Sequence, residues 1–285
     1  MKTVGLLAIL LVCLLLTACG VPTGQTGPVA ATTAPVAQFA SAIAEGTEIT
    51  VCGVITDSVS CLHDYSLSVR QMEKIKNSEL LLLSGAGLED FMADVLMEQD
   101  CLADCSDGAA MLEKAHGDHT HADPHLWLDP DRACVMAENI CLALSQAYPA
   151  HKHIFEANTQ MLLQRLKELK AWGAEELEDC THRQMITFHD GFAYLADAFD
   201  LHILATMEAE AGSTPSAADL TKIVKLVEEH GLGSVFSEVG GTNAAARIVC
   251  AETGAQEYCL DMAMGGNDYF SAMEYNIKTL KEALK

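Results

Sequence analysis

The stretch DRACVMAENICLALSQAYPAHKHIFEANTQMLLQRLKELKAWGAEEL, Asp131 to Leu177, decides the fold. Its apolar residues recur at helix spacing through Asp131–Tyr148 and again from His151 to about Leu177, with no strand between. The only break is Tyr148-Pro149, where proline stops one helix and can begin the next. On either side, short β-prone runs alternate with helical patterns, the arrangement of parallel sheets covered by helices on both faces. Strands are expected near Glu48–Ile55, Glu79–Ser84 and Cys101–Cys105, then near Gln184–Phe188, Leu201–Thr206, Ser234–Ser237 and Gln256–Leu260. Helices are expected at Asp90–Gln99, at Pro215–His230 with Ser213 or Thr214 as cap, and at Asn243–Thr253 closed by Gly254. An α/β fold of two parallel-sheet βα lobes joined by one long helix is the simplest arrangement.

The N-terminal region divides in two. Residues 1–18 read as an export signal: Lys2 gives the positive start, Val4 to Leu16 is apolar, and Leu16-Thr17-Ala18 gives a small-residue cleavage site before Cys19. That apolar run is shorter than the ~20 residues a membrane helix needs. A cysteine at this point resembles the lipobox of bacterial lipoproteins, which implies that Cys19 carries a lipid that anchors the protein to the membrane. Residues 19–46, rich in Ala, Thr, Pro, Gly and Val and uncharged until Glu45, read as a flexible tether. The expected domains are then an N-terminal lobe over 47–149, a connecting helix over 150–178 and a C-terminal lobe over 179–285.

With 40 acidic against 17 basic residues, the formal charge is −23. Such a surface repels phosphate backbones, which argues against nucleic-acid binding, and concentrates cations. Of 11 cysteines, Cys13 falls in the signal and Cys19 at the anchor, and the rest are odd in number. No CxxC occurs, so neither a zinc ribbon nor a thioredoxin-like centre is indicated. Most of the remaining cysteines read as small buried hydrophobes.

Chemistry concentrates in histidine. The run AHGDHTHADPHLWLDP, Ala115 to Pro130, holds His116, His119, His121 and His125, and imidazole is the commonest side-chain ligand for first-row transition ions. His116, His119 and His121, among Gly, Asp and Thr, are expected in a mobile, exposed loop that captures ions loosely. His63 follows the first expected strand, His189 follows the strand at Gln184–Phe188, and Asp261 follows that at Gln256–Leu260. In open α/β sheets, ligand-binding residues gather past the carboxyl ends of the strands. His63, His125, His189 and Asp261 would give a cleft between the lobes three imidazoles and one carboxylate, a set that satisfies tetrahedral Zn²⁺ with Zn–N near ~2.0 Å. Asp64, Asp129 and Asp190 are candidates to orient the imidazoles or to cap helices, with Asp129 before Pro130 the best cap. Glu238 is a reserve ligand or an outer partner.

Six segments carry a family resemblance: HDYSLS at His63, LLLLSGAGLEDFM from Leu80, DPHLWLDP at His125, FHDGFAYLADAF at His189, VFSEVGGTNAAARIVCAETGA around Glu238, and LDMAMGGNDYFSAMEYNIKTLKEAL from Leu260. Together they resemble the metal-binding lipoproteins of zinc and manganese ABC importers, the solute-binding family that includes bacterial high-affinity zinc-uptake proteins. The resemblance implies two lobes bridged by a rigid helix, an ion held between them by His63, His125, His189 and Asp261, and delivery to a membrane permease driven by an ATPase. It implies an extracytoplasmic, membrane-anchored monomer. In the manganese-preferring branch the third ligand tends to be a carboxylate, so His189 favours Zn²⁺, with Mn²⁺ the alternative. VGG stands where Pro-Gln usually follows Glu238, and DMAMGG replaces the common Asp-Pro-Leu-Gly, which puts the presentation of Asp261 in question.

The leading expectation is therefore a non-enzymatic zinc carrier whose affinity falls as pH drops, because ligands bind only when deprotonated. A manganese- or iron-binding homologue or an adhesin of the same fold is the alternative. A zinc hydrolase is disfavoured, because neither HExxH nor GxSxG occurs.

Overall fold

The computed structural model describes residues 29–56, 65–116, 119–207, 215–241, 243–265 and 267–285. The expected signal, Cys19, His63, Asp64, Ser213 and Thr214 lie outside them. The first sheet contains β1 (Val29–Ala31), β2 (Val51–Gly53), β3 (Leu80–Leu83) and β4 (Leu102–Asp104), all parallel in the order β2-β1-β3-β4. Helices α1 (Ala34–Ile43), α2 (Val69–Lys76) and α3 (Ala93–Leu96) belong to this lobe. An antiparallel hairpin, β5 (Glu113–His116) with β6 (His119–Ala122), follows, and then α4 (Pro130–Ala147) and the 26-residue α5 (Lys152–Leu177). The second sheet contains β7 (Gln184–Thr187), β8 (His202–Thr206), β9 (Ser234–Glu238) and β10 (Gln256–Leu260), parallel in the order β10-β9-β7-β8. Its helices are α6 (Ala193–Ala198), α7 (Ala217–His230), α8 (Ala244–Thr253) and α9 (Tyr269–Ala283). Read from the other edge, the second order repeats the first, so each lobe places its first strand between its second and third. Chain direction from the first strand therefore reverses beside β1 and beside β7, the switch points where open sheets bind ligands.

Two expectations need correction. The tether does not extend to residue 46: Val29–Ala31 is an inner strand of the first sheet and fully buried, and Ala34–Ile43 is a helix. The composition misled because a strand buried on both faces shows no alternation, and a three-residue apolar run is too short to stand out. The available signal was Pro35 in the first turn after Thr33, with Val36, Phe39, Ala40 and Ile43 on one buried face. The histidine-rich run is not an irregular loop either; its backbone pairs Lys114 with His121 and His116 with His119. Interstrand hydrogen bonds satisfy the backbone there without help from a core.

Helix ends follow local chemistry. Asp129 caps α4 by accepting from the Asp131 amide at 3.0 Å, with Pro130 in the first turn. Ser216 caps α7, and Gly231 ends it at φ 61°, a left-handed turn that favours glycine. The largest apolar core runs without interruption from β1 and α1 through α4 and α5 to α9, while Ile186, Ile223, Val235 and Val249 belong to a smaller core in the C-terminal lobe.

Candidate metal centre

His125 stands between β6 and α4, just before a buried 3₁₀ turn at Leu126–Leu128. Its ring Nδ1 lies 2.7 Å from Asp123 Oδ1, and its backbone amide donates to the same oxygen at 3.0 Å. An ionised carboxylate only accepts, so Nδ1 carries the proton and Nε2 is left as the lone-pair nitrogen available to a ligand. Asp123 is fully buried, and Lys114 Nζ sits 2.7 Å from its other oxygen. Burial alone would raise the Asp123 pKa. The hydrogen bond from His125, the electrostatic influence of that ring and the charge of Lys114 outweigh it and bring it down to about 2.

His189 lies two residues past β7, an inner strand of the second sheet, and is buried. Burial lowers its pKa to about 3, aided by the electrostatic influence of His125 and by the Lys114 ammonium, while Asp123 opposes the shift. The ring is therefore neutral, the state that binds a metal. Its Nε2 is buried without a hydrogen-bond partner among the described residues, and Nδ1 stands 3.8 Å from Glu238 Oε2, too far for a hydrogen bond. Gly191 permits this packing: a Cβ there would lie 2.5 Å from Met262 Cε and 2.9 Å from His189 Cδ2. The His125 and His189 rings meet edge to face with centroids 6.2 Å apart, so a residue leading into α4 and a residue of the C-terminal lobe share one point.

Asp261 directly follows β10. Asn276 of α9 is fully buried and clamps its backbone in both directions, accepting from the Asp261 amide and donating to its carbonyl, each at 2.7 Å. The Asp261 carboxylate accepts from the Ala263 amide at 2.8 Å and from Asn267 Nδ2 at 3.4 Å. The clamp fixes the backbone that carries the Asp261 carboxylate. Among the described residues no group of three or more His, Cys, Asp or Glu side chains stands close enough to hold a metal ion. The structure thus joins His125 to His189, does not gather Asp261 with them, and leaves His63 outside the described residues.

The expected orienting roles shift by position. Asp129 does not touch His125; it caps α4 and pairs with Arg132 and, at 3.0 Å, with Lys170 of α5. Asp190 holds Lys114 through its carboxylate at 2.7 Å and its carbonyl at 2.9 Å. Asp123, Lys114 and Asn276 were not singled out from sequence. Asp123 had a readable signal, since its place two residues before His125 allows a turn-like bond back to that residue. Nothing local announces Lys114 or Asn276, whose partners lie far away along the chain. Elsewhere, His151 Nε2 pairs with Glu48 at 3.0 Å and His230 Nδ1 with Gln184 at 3.0 Å, as polar surface contacts. The eight described cysteines are all free; Cys52, Cys105 and Cys180 are buried and Cys101 is exposed.

Comparison with known proteins agrees with this architecture. The family model of ZnuA, zinc-uptake complex component A, periplasmic, matches residues 29–283. The zinc-binding lipoprotein AdcA of Streptococcus pneumoniae (strain ATCC BAA-255 / R6) is 28% identical over 310 aligned positions, which cover 99% of this chain. The chain spans 61% of that relative's length. A crystal structure of ZnuA superposes with a TM-score of 0.79 at 25% identity, covering 90% of this chain and 98% of the other. The Zn(II)-bound ZnuA-like domain of Streptococcus pneumoniae AdcA gives 0.76 at 26% identity over the same shares. The family model begins at Val29, where β1 begins, and covers both sheets and the helix between them, so this chain belongs to the family of zinc-uptake complex component A.

Proposed function

We propose that this chain captures Zn²⁺ outside the cytoplasmic membrane and hands it to the permease of an ABC-type importer, acting as a carrier and not as an enzyme. The observation that carries this reading is the His125–His189 pair: two rings from separate halves of the chain, their centroids 6.2 Å apart, one fixed by a carboxylate and the other buried, neutral and holding a nitrogen unpartnered among the described residues. Burying an imidazole nitrogen without a hydrogen bond costs free energy that a ligand would recover. Zinc-bound structures among the family neighbours support the choice of ion. We assign the ligand set as His63, His125, His189 and Asp261, with Glu238 as an outer partner of His189, and Cys19 as the lipid anchor of a monomer. Nitrogen-rich coordination favours Zn²⁺ over Mn²⁺.

Isothermal titration of the metal-stripped protein tests the reading. One Zn²⁺ should bind per chain, more tightly than Mn²⁺. His125→Ala and His189→Ala should each weaken it by more than the roughly 10- to 100-fold that loss of an outer hydrogen bond costs. Zinc affinity untouched by both substitutions would end the proposal.

A further inference from the structure

One side chain touches both halves of the candidate centre without being a ligand. Lys114 projects from β5, and its ammonium meets Asp123 Oδ2 at 2.7 Å, Asp190 Oδ1 at 2.7 Å and the Asp190 carbonyl at 2.9 Å. The ammonium donates a hydrogen bond to the carbonyl and forms ion pairs with the two carboxylates. Asp123 in turn accepts from two of the His125 nitrogens, the backbone amide and Nδ1, and Asp190 is the residue next to His189. The lysine thus links the carboxylate that orients one imidazole to the loop that carries the other. It stands opposite His121 in the hairpin register, which ties the histidine-bearing hairpin to the same point.

We propose that Lys114 is a positioning residue for metal capture: its ammonium bolts Asp123 and the Asp190 loop together and so sets how His125 and His189 face each other. The inference rests on the zinc-capture reading and makes a prediction of unusual sign. A positive charge beside a cation site opposes cation binding, so electrostatics alone would make Lys114→Met bind Zn²⁺ more tightly. If the bolt is what matters, removal leaves Asp123 buried without its counter-charge and frees the His189 loop, and affinity falls instead.

Zinc titrations on the full chain decide between these. Lys114→Met should bind roughly 10- to 100-fold more weakly, Lys114→Arg should recover most of the loss, and Asp190→Ala should lose severalfold. Once Lys114 is replaced by Met, adding Asp190→Ala should cost little more, because the two act through one contact. Imidazole nitrogen spectra of the metal-stripped Lys114→Met protein should show His125 losing its single Nδ1–H tautomer, a change that a general loss of packing would not produce in a protein that still unfolds cooperatively. Equal or tighter binding by Lys114→Met overturns the proposal, as does weaker binding with the His125 tautomer intact. Should Lys114→Met not fold, Asp190→Ala decides: wild-type affinity there overturns the bolt. A wild-type chain that binds no zinc would instead overturn the capture reading itself.

Discussion

Two buried ionisable residues make opposite demands on pH. Glu89 is buried where β1 and β3 end and accepts from Thr32 Oγ1 at 2.5 Å, the Ser84 amide at 2.7 Å and the Gly85 amide at 3.0 Å. Burial raises its pKa to about 7 against the pull of those donors. A carboxyl raised on folding contributes stability that is complete below about pH 4.5 and lost as pH rises through about 7. Glu89→Gln cannot titrate and turns one acceptor into a donor facing the Gly85 amide. Urea denaturation should show it destabilised by roughly 1–3 kcal/mol below pH 4.5, with the gap narrowing toward pH 8. His189 runs the other way. Its lowered pKa means that the unfolded chain takes up a proton between about pH 3 and 6.5, so stability falls with acid at about 1.4 kcal/mol per pH unit from this group. His189→Gln should flatten the measured slope by that amount, and an unchanged slope would refute the buried neutral imidazole.

Among elements, α5 depends on one close approach. Gly173 faces α9 and the end of α6, and a Cβ there would lie 2.5 Å from Phe199 Cε1 and 2.8 Å from Ile277 Cδ1. In an exposed helix, replacing Gly by Ala gains about 1 kcal/mol. Here several side-chain atoms would have to give way, and overpacking of this kind costs roughly 1–3 kcal/mol. Gly173→Ala should therefore lower the denaturation midpoint, and a higher midpoint would show that the aromatic ring moves freely. At α7 the expected cap two or three residues upstream gives way to Ser216, whose hydroxyl reaches the Asp219 amide at 3.2 Å. Ser216→Ala should cost about 1 kcal/mol by the same measurement.

Among the described residues both sheets share the largest apolar core, beside the smaller core of the C-terminal lobe. Trp127 Nε1 donates to the Met262 carbonyl at 2.8 Å, the Tyr269 hydroxyl to the Trp127 carbonyl at 2.7 Å, and the Tyr269 amide to Gln38 of α1 at 2.7 Å. Both aromatic rings are almost wholly buried in the shared core. These bonds stitch the α1–α4 side to the loop that carries Asp261, so lobe rotation would break buried contacts at each stitch. Thermal unfolding should show both sheets melting in one transition. Zinc at 100 times its Kd should stabilise that transition by about 2.7 kcal/mol, reversed by a chelator.

The fold class, the helix between the lobes, the caps at Asp129 and Gly254 and the placement of His189 just past a strand were all legible along the chain. Each is written locally, in the period of apolar residues, in proline and glycine at helix ends, and in histidines just past apolar runs. Three features came only with the tertiary structure: that Val29–Ile43 is core and not tether, that Asp123 and not Asp129 holds His125, and that Lys114 and Asn276 brace the loops around the centre. A short strand buried on both faces carries no alternation to read. A buried ion pair or backbone clamp depends on partners brought together from distant parts of the chain, and no local pattern records where a side chain ends up in space.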